Sequence, residues 1–198
     1  MIPQKWGFCM EGNEEAFCRS LDIADQPGKF IYYEIGIGNG DTMEAVDSWL
    51  TQKEKDHLII GVDLPDYSGS CLHKGWGRAG EVEGNICLAL FTSEIFLANA
   101  SRKANFIFID ACHGAPCVTR DFLLAEKLIK PGGVIAFHDT DPSCQGQHFQ
   151  EHCGTGIDVR AALEALGLLN GSREGWKMLE ETWPSKPGNH GAAFFQKM

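Results

Sequence analysis

The sequence is short of positive charge. Its 17 Lys and Arg stand against 27 Asp and Glu, a formal net charge of −10, and no basic run gathers them. A chain of that sign repels a phosphate backbone or an anionic lipid surface, so neither nucleic acid nor membrane is expected as the main partner. No stretch of about 18 apolar residues is present, which removes a membrane-spanning helix. The opening residues, MIPQKWGFCMEGNEEAF, lack the apolar centre of a signal peptide, and a cytoplasmic location is the default expectation. The eight cysteines include no Cys-x-x-Cys pair, so thioredoxin and zinc-ribbon chemistry have no support, and in a reducing compartment all eight read as thiols. The segment from Cys144 to Cys153 also holds His148 and His152, which could share a helix face as zinc ligands; a polar loop rich in His is the preferred reading.

What is there suits one compact domain with a substantial core. The 198 residues are 43% hydrophobic and 22% charged. Apolar runs of strand length recur: FIYYEI (Phe30–Ile35), LIIGVD (Leu58–Asp63), ICLAL (Ile86–Leu90), NFIFID (Asn105–Asp110) and VIAFHD (Val134–Asp139). Runs apolar on both faces are what a buried parallel sheet requires. Helical spacing lies between them. Met43, Val46 and Leu50 share a face after a cap at Asp41 or Thr42. Val118, Phe122, Ala125 and Ile129 share another, stopped by KPGG (Lys130–Gly133), and TGID (Thr155–Asp158) resembles a capping box before Val159, Leu163 and Leu166. WKMLEETW and GAAFFQK close the chain as a terminal strand pair. The alternation predicts a doubly wound α/β sheet of about seven strands, mostly parallel and Rossmann-like, with a C-terminal antiparallel pair. Residues 1–29, with one helix at Glu14–Ala24, read as an N-terminal cap, and residues 30–198 as the domain proper. Residues 64–85 carry five glycines and no helical period where a crossover helix belongs; they read either as a binding loop or as an insertion.

Ligands of such sheets bind at the carboxyl ends of the strands. The first strand ends in EIGIGNGDT, with glycines at 36, 38 and 40. A dinucleotide turn is G-x-G-x-x-G, and its third glycine position is occupied here by Asp41, the wrong charge beside a pyrophosphate at a helix N-terminus. The P-loop's Gly-Lys-Ser/Thr is absent as well. The turn therefore offers close backbone approach to a ligand without phosphates. Glu34 precedes it, and Asp63 ends the second strand, where a carboxylate can accept both hydroxyls of a ribose.

Glu34, the three glycines, Asp63 and LIKPGGVIAFHD in that order resemble the class I S-adenosylmethionine-dependent methyltransferases. The closest resemblance is to the subgroup of small-molecule O-methyltransferases with IDG-x-H after strand four and PGG-x-x-x-FHD-T after strand five. Here the segments read IDACH (Ile109–His113) and PGGVIAFHDT (Pro131–Thr140), with Ala111 in place of the usual glycine. The resemblance implies that Glu34, Gly36, Gly38, Gly40, Thr42, Asp63, Leu64, Ser93 and Asp110 hold S-adenosylmethionine, Ser93 near the adenine. It implies that His113 faces the acceptor as general base, with Asp110, His138 and Asp139 around it. A structural role for His113 in ordering its loop stays open.

In the related catechol-type enzymes, side chains at these places hold Mg²⁺, which here would mean Asp110, His138 and Asp139. Mg²⁺ prefers oxygen ligands, so a metal-free site is favoured. Cys112 and Cys117 read as loop and core thiols. Tyr67, Trp76, Arg78 and His148 are pocket-wall candidates on the irregular loops. The acceptor is expected to be a small molecule methylated at a hydroxyl oxygen, and a homodimer is left open. The rival readings are a non-catalytic member of the fold that binds an adenosyl ligand or a protein partner, and a nicotinamide-dependent oxidoreductase, which the glycine spacing disfavours.

Overall fold

A computed structural model describes residues 12–65, 77–78, 84–146, 156–183 and 191–198. The strands form where the apolar runs predict, because each can bury both faces. β1 (Phe30–Ile35) and β5 (Ala104–Ile109) are buried at every position, and β2 (His57–Asp63), β4 (Ile86–Leu90) and β6 (Ile129–His138) complete the parallel part. β7 (Trp176–Thr182) and β8 (Ala192–Lys197) form the expected antiparallel pair, with β8 also antiparallel to β6. The two-residue β3 (Gly77–Arg78) lies parallel to β4 at the opposite edge, in the segment where no crossover helix was legible. The sheet runs β3-β4-β2-β1-β5-β6-β8-β7. Chain order reverses between β1 and β5, so the crevice at the carboxyl ends of these neighbours is where a doubly wound sheet binds its ligand.

Helices cover both faces. α1 (Glu14–Ala24) and α2 (Asp41–Gln52) lie over one core, which includes Phe17, Tyr32, Met43, Phe106, Phe108 and Phe194. Phe17 places its ring 5.0 Å from Phe106 and 5.4 Å from Phe108, so the N-terminal helix is built into the sheet's packing. Val118, Phe122 and Ala125 of α4 (Ala115–Leu128) and Val159, Ala162 and Leu163 of α5 (Val159–Ala165) enter the other core, where α3 (Ser93–Asn99) adds Leu97. No helix among the described residues is long and apolar enough to cross a membrane.

Three local expectations need correction. The N-cap of α2 is Gly40, at φ 73°, rather than Asp41 or Thr42; the glycine turn itself delivers the chain into the helix. Ile129 does not lie on α4 ahead of a stop at KPGG, because the helix ends at Leu128 and β6 begins at Ile129. Instead the glycines lie within β6, where five steps from Ile129 to Val134 face two from Ala104 to Phe106; a Cβ on Gly133 would stand 2.8 Å from the Asn105 carbonyl oxygen. Asp158 is the N-cap of α5 but makes no side-chain capping bond, and Thr155 of the expected box lies outside the described residues.

His57 opens β2 at 2% exposure. Its Nδ1 lies 2.6 Å from the Lys55 carbonyl and its Nε2 2.8 Å from Asp47 Oδ1. Two acceptors call for a hydrogen on each nitrogen, which only the imidazolium carries. Burial pulls the pKa down, but Asp47 and the Lys55 carbonyl outweigh it and the pKa is raised. The contribution is therefore fully present below about pH 6.5, the unfolded value, and is lost as pH rises through the higher folded value. Thermal denaturation between pH 6 and 9 is expected to show stability declining by on the order of 1 kcal/mol. His57→Gln should flatten that dependence; an unchanged slope in the variant would remove His57 as its source.

Candidate active site

The turn after β1 forms as it does because two backbones nearly touch. Gly36 adopts φ 84°, and a Cβ there would lie 1.9 Å from the Asp110 carbonyl oxygen. Asp110 N in turn donates to the Ile35 carbonyl at 2.8 Å, and Gly36 N to the Val62 carbonyl at 2.8 Å. Gly38, at φ 48°, faces open space. Asp63 ties the turn to β2: its Oδ2 accepts from Ile37 N at 3.1 Å and its Oδ1 from Leu64 N at 2.7 Å. Asp63 thus organises the loop, with lone pairs left over for a ligand's hydroxyls. Thr42 is buried in the first turn of α2. Glu34 is 2% exposed and accepts from Tyr32 Oη at 2.7 Å. Burial pushes its pKa up to about 8; Tyr32's bond works against this, and the charges of Asp110, Asp63 and Asp41 add to it.

Across the crevice, β5 and β6 deliver Asp110, His113, His138 and Asp139 to one place. His113 Nε2 lies 2.8 Å from Asp139 Oδ2 and 3.4 Å from Asp110 Oδ1. His138 Nδ1 lies 3.3 Å from Asp110 Oδ1 and 3.2 Å from Asp139 Oδ1. Asp139 reaches both rings because its backbone is left-handed, φ 60°, which turns the chain sharply at the end of β6. Burial pulls each imidazole pKa down, but the two carboxylates outweigh it and push both up to about 10. Burial works the other way on the carboxyls, and the histidines hold both well below the usual range. The four groups are thus two ion pairs sharing one buried site, with both imidazoles protonated at neutral pH.

The donor atoms of Asp110, His113 and Asp139 lie within 4.8 Å of one another, a spacing that a divalent ion could bridge. The group does not fit Mg²⁺. A hard ion seeking six oxygens would meet imidazole nitrogen, and the two carboxylates already have cationic partners.

Several supporting residues escaped the sequence reading. Gln145 Nε2 donates to the Asp139 carbonyl at 3.0 Å, and Arg160 Nη1 to the Thr140 carbonyl at 3.3 Å, so the loop after β6 is held from α5 and from its own continuation. Ser93 Oγ donates to Asp121 Oδ1 at 2.9 Å, and Arg120 Nη2 bonds both residues. This network joins α3 to α4, and Ser93 spends its hydroxyl hydrogen on it. Burial raises the Asp121 pKa. A charged residue beside Phe122 on an otherwise apolar helix face was the available signal for it.

The uniform thiol reading also needs correction. Cys18, Cys87, Cys117 and Cys144 are thiols, but Cys112, between Asp110 and His113, is disulfide-bonded. Cysteine spacing gave no sign of it. Cys144 Sγ contacts the Asp141 carbonyl at 2.9 Å as a buried loop thiol. Tyr67, Trp76, His148, His152 and Cys153 lie outside the described residues, as does the side chain of Arg78.

Residues 33–140 match the family model of a methyltransferase domain, a span that begins in β1 and ends just past Asp139. The chain belongs to that methyltransferase family. Solved structures share its fold at low identity. An rRNA methylase from Streptococcus thermophilus is 11% identical with a TM-score of 0.62, over 94% of this chain and 96% of that one. The O-methyltransferase TomG from Streptomyces achromogenes, in complex with SAM, is 19% identical with a TM-score of 0.56, over 84% and 72%. A LepI variant, in complex with SAH and a substrate analogue, is 14% identical with a TM-score of 0.59; 87% of this chain matches 44% of that one, so the chain spans less than half of LepI's length. No curated protein matches the sequence.

The two glycines provide a test of the site's construction. Gly36→Ala is expected to cost more than ~3 kcal/mol, since backbone must move away from backbone. Gly38→Ala, with open space around it, should cost only the left-handed conformation, about 1–2 kcal/mol. Equal losses in chemical denaturation would contradict the close approach at Asp110.

Proposed function

We propose that the protein transfers the methyl group of S-adenosylmethionine to a hydroxyl oxygen of a small-molecule acceptor, with residues 30–198 as the catalytic domain and residues 1–29 as its cap. The observation that carries this reading is His113, held between Asp110 and Asp139 at the rim beside the glycine turn. The donor is a cation, and the turn side of the crevice is lined by Glu34 and Asp63, which suits its charge. Gly36, Gly38, Gly40, Thr42 and Leu64 shape the floor beneath it, and Ser93 stands on the adenine side. A pyrophosphate cofactor would meet Asp41 in the first turn of α2, which weighs against nicotinamide chemistry. A small acceptor is preferred to RNA because the net charge is −10.

The acceptor oxygen attacks the methyl carbon as the carbon–sulfur bond breaks, leaving a neutral thioether, and the hydroxyl proton passes to His113. Most of the acceleration comes from aligning the three reacting atoms. Held by Asp110 and Asp139, the ring of His113 acts as the base in its neutral form. A conjugate acid with a pKa of about 10 matches a phenol-like hydroxyl, whose own value is about 10. The ring must first lose its proton, so turnover rises with pH and its acid limb lies well above the usual histidine value of about 6.5. Asp110, Asp139 and His138 hold the ring in place and balance its charge.

His113→Ala is expected to lower turnover ~10²–10⁴-fold while donor affinity barely changes, and to abolish the acid limb. Near-normal turnover would make His113 structural and move the search for the base to His138 and Asp139. EDTA should leave turnover within a few-fold, because Asp110, His113, His138 and Asp139 suit Mg²⁺ poorly; complete loss restored by Mg²⁺ or Mn²⁺ would overturn that assignment.

A further inference from the structure

Tyr32 and Glu34 stand two residues apart on β1, so both side chains leave the same face of the sheet. Tyr32 is 0% exposed, and its hydroxyl donates to Glu34 Oε2 at 2.7 Å. The charges that bear on Glu34 come from three further elements: Asp63 at the end of β2, Asp41 at the start of α2, and Asp110 after β5. All are acidic. The positive groups across the crevice, His113 and His138, are engaged with Asp110 and with Asp139 on its far side. Glu34 is thus a buried carboxyl among like charges, steadied by the phenol of Tyr32.

We propose that the Tyr32–Glu34 pair couples cofactor binding to the release of one proton, with Tyr32 as the positioning residue that keeps Glu34 ready to ionise. This rests on S-adenosylmethionine being the ligand of the glycine turn. That molecule brings a sulfonium, an ammonium and a carboxylate, one net positive charge. Its arrival supplies the cation that Glu34 lacks, so the carboxyl ionises and its proton goes to solvent. The bond from Tyr32 favours the ionised form and holds the carboxylate in place. In the free protein the Glu34 value of about 8 leaves roughly 0.9 of a proton bound at pH 7, all of it available for release. Affinity should then tighten about tenfold per pH unit below 8 and level off above it.

Titration calorimetry with S-adenosylmethionine at pH 7, in buffers of different ionisation enthalpy, reads the proton count directly. The wild type should release close to one proton. Glu34→Gln should release almost none and lose the pH dependence of its dissociation constant. Tyr32→Phe should still release a proton, with the levelling point displaced to higher pH and weaker binding at pH 7; matched thermal melts would show that both variants are folded. Tight binding with no proton released by the wild type overturns the coupling and leaves the methyltransferase reading standing. Failure of S-adenosylmethionine to bind the wild type overturns that reading, and the coupling with it. Release that persists in Glu34→Gln overturns the assignment to this pair.

Discussion

The carbonyl oxygen of Asp110 occupies the space that a β-carbon on Gly36 would need. That contact brings the turn after β1 against the end of β5, at the point where the sheet's strand order reverses. Much of the site hangs on it. The turn that enters α2 starts there, Asp63 fastens to that turn, and the loop carrying His113 begins one residue beyond the carbonyl. Moving either backbone outward would shift the glycine turn and the loop of His113 together. The glycine is thus required by packing between two parts of the protein, before any ligand is considered.

The second constraint is charge. Glu34, Asp63, Asp110 and Asp139 all reach the carboxyl rim of a sheet whose interior is apolar. Burying carboxylates costs several kcal/mol each unless they are paired or neutral. The structure answers differently on the two sides. Around Asp110 and Asp139, two imidazoles supply the positive charge. Glu34 is met by a phenol instead, and the carboxyl's pKa rises. Asp63 is met by two backbone N–H groups. The β5–β6 side is therefore balanced by its two imidazoles, while Glu34, among the described residues, is met by a phenol and by like charges.

The parts of this arrangement legible in the sequence were those with a period or a fixed local order. Strands buried on both faces announce themselves as continuous apolar runs, and the helix at Glu14–Ala24 lies where its spacing put it. The glycine turn and Asp63 were readable because their chemistry is local to strand ends. What escaped depends on contacts between distant segments. Asn105 and Gly133, 28 positions apart, meet across the ladder and draw KPGG into β6. Asp121 gains meaning only beside Ser93 and Arg120. The ion pairing of His113 could not be foreseen, because Asp139, 26 positions later, is not visible as its partner in a linear reading.

Asp139 shows how these levels meet. Its left-handed backbone would cost on the order of 1 kcal/mol in isolation, less for Asp than for a β-branched residue. The surrounding structure imposes that conformation from several directions. Gln145 binds the Asp139 carbonyl, Arg160 binds the carbonyl of Thr140, and β8 pairs with β6 up to His138. With the backbone so held, one carboxylate oxygen meets His113 and the other His138. An extended residue at this position would continue the strand and send its side chain along the sheet's alternation, to one face only. The strained turn lets a single acid reach a ring on its own strand and a ring on the neighbouring loop, and the β5–β6 side of the crevice owes its charge balance to that turn.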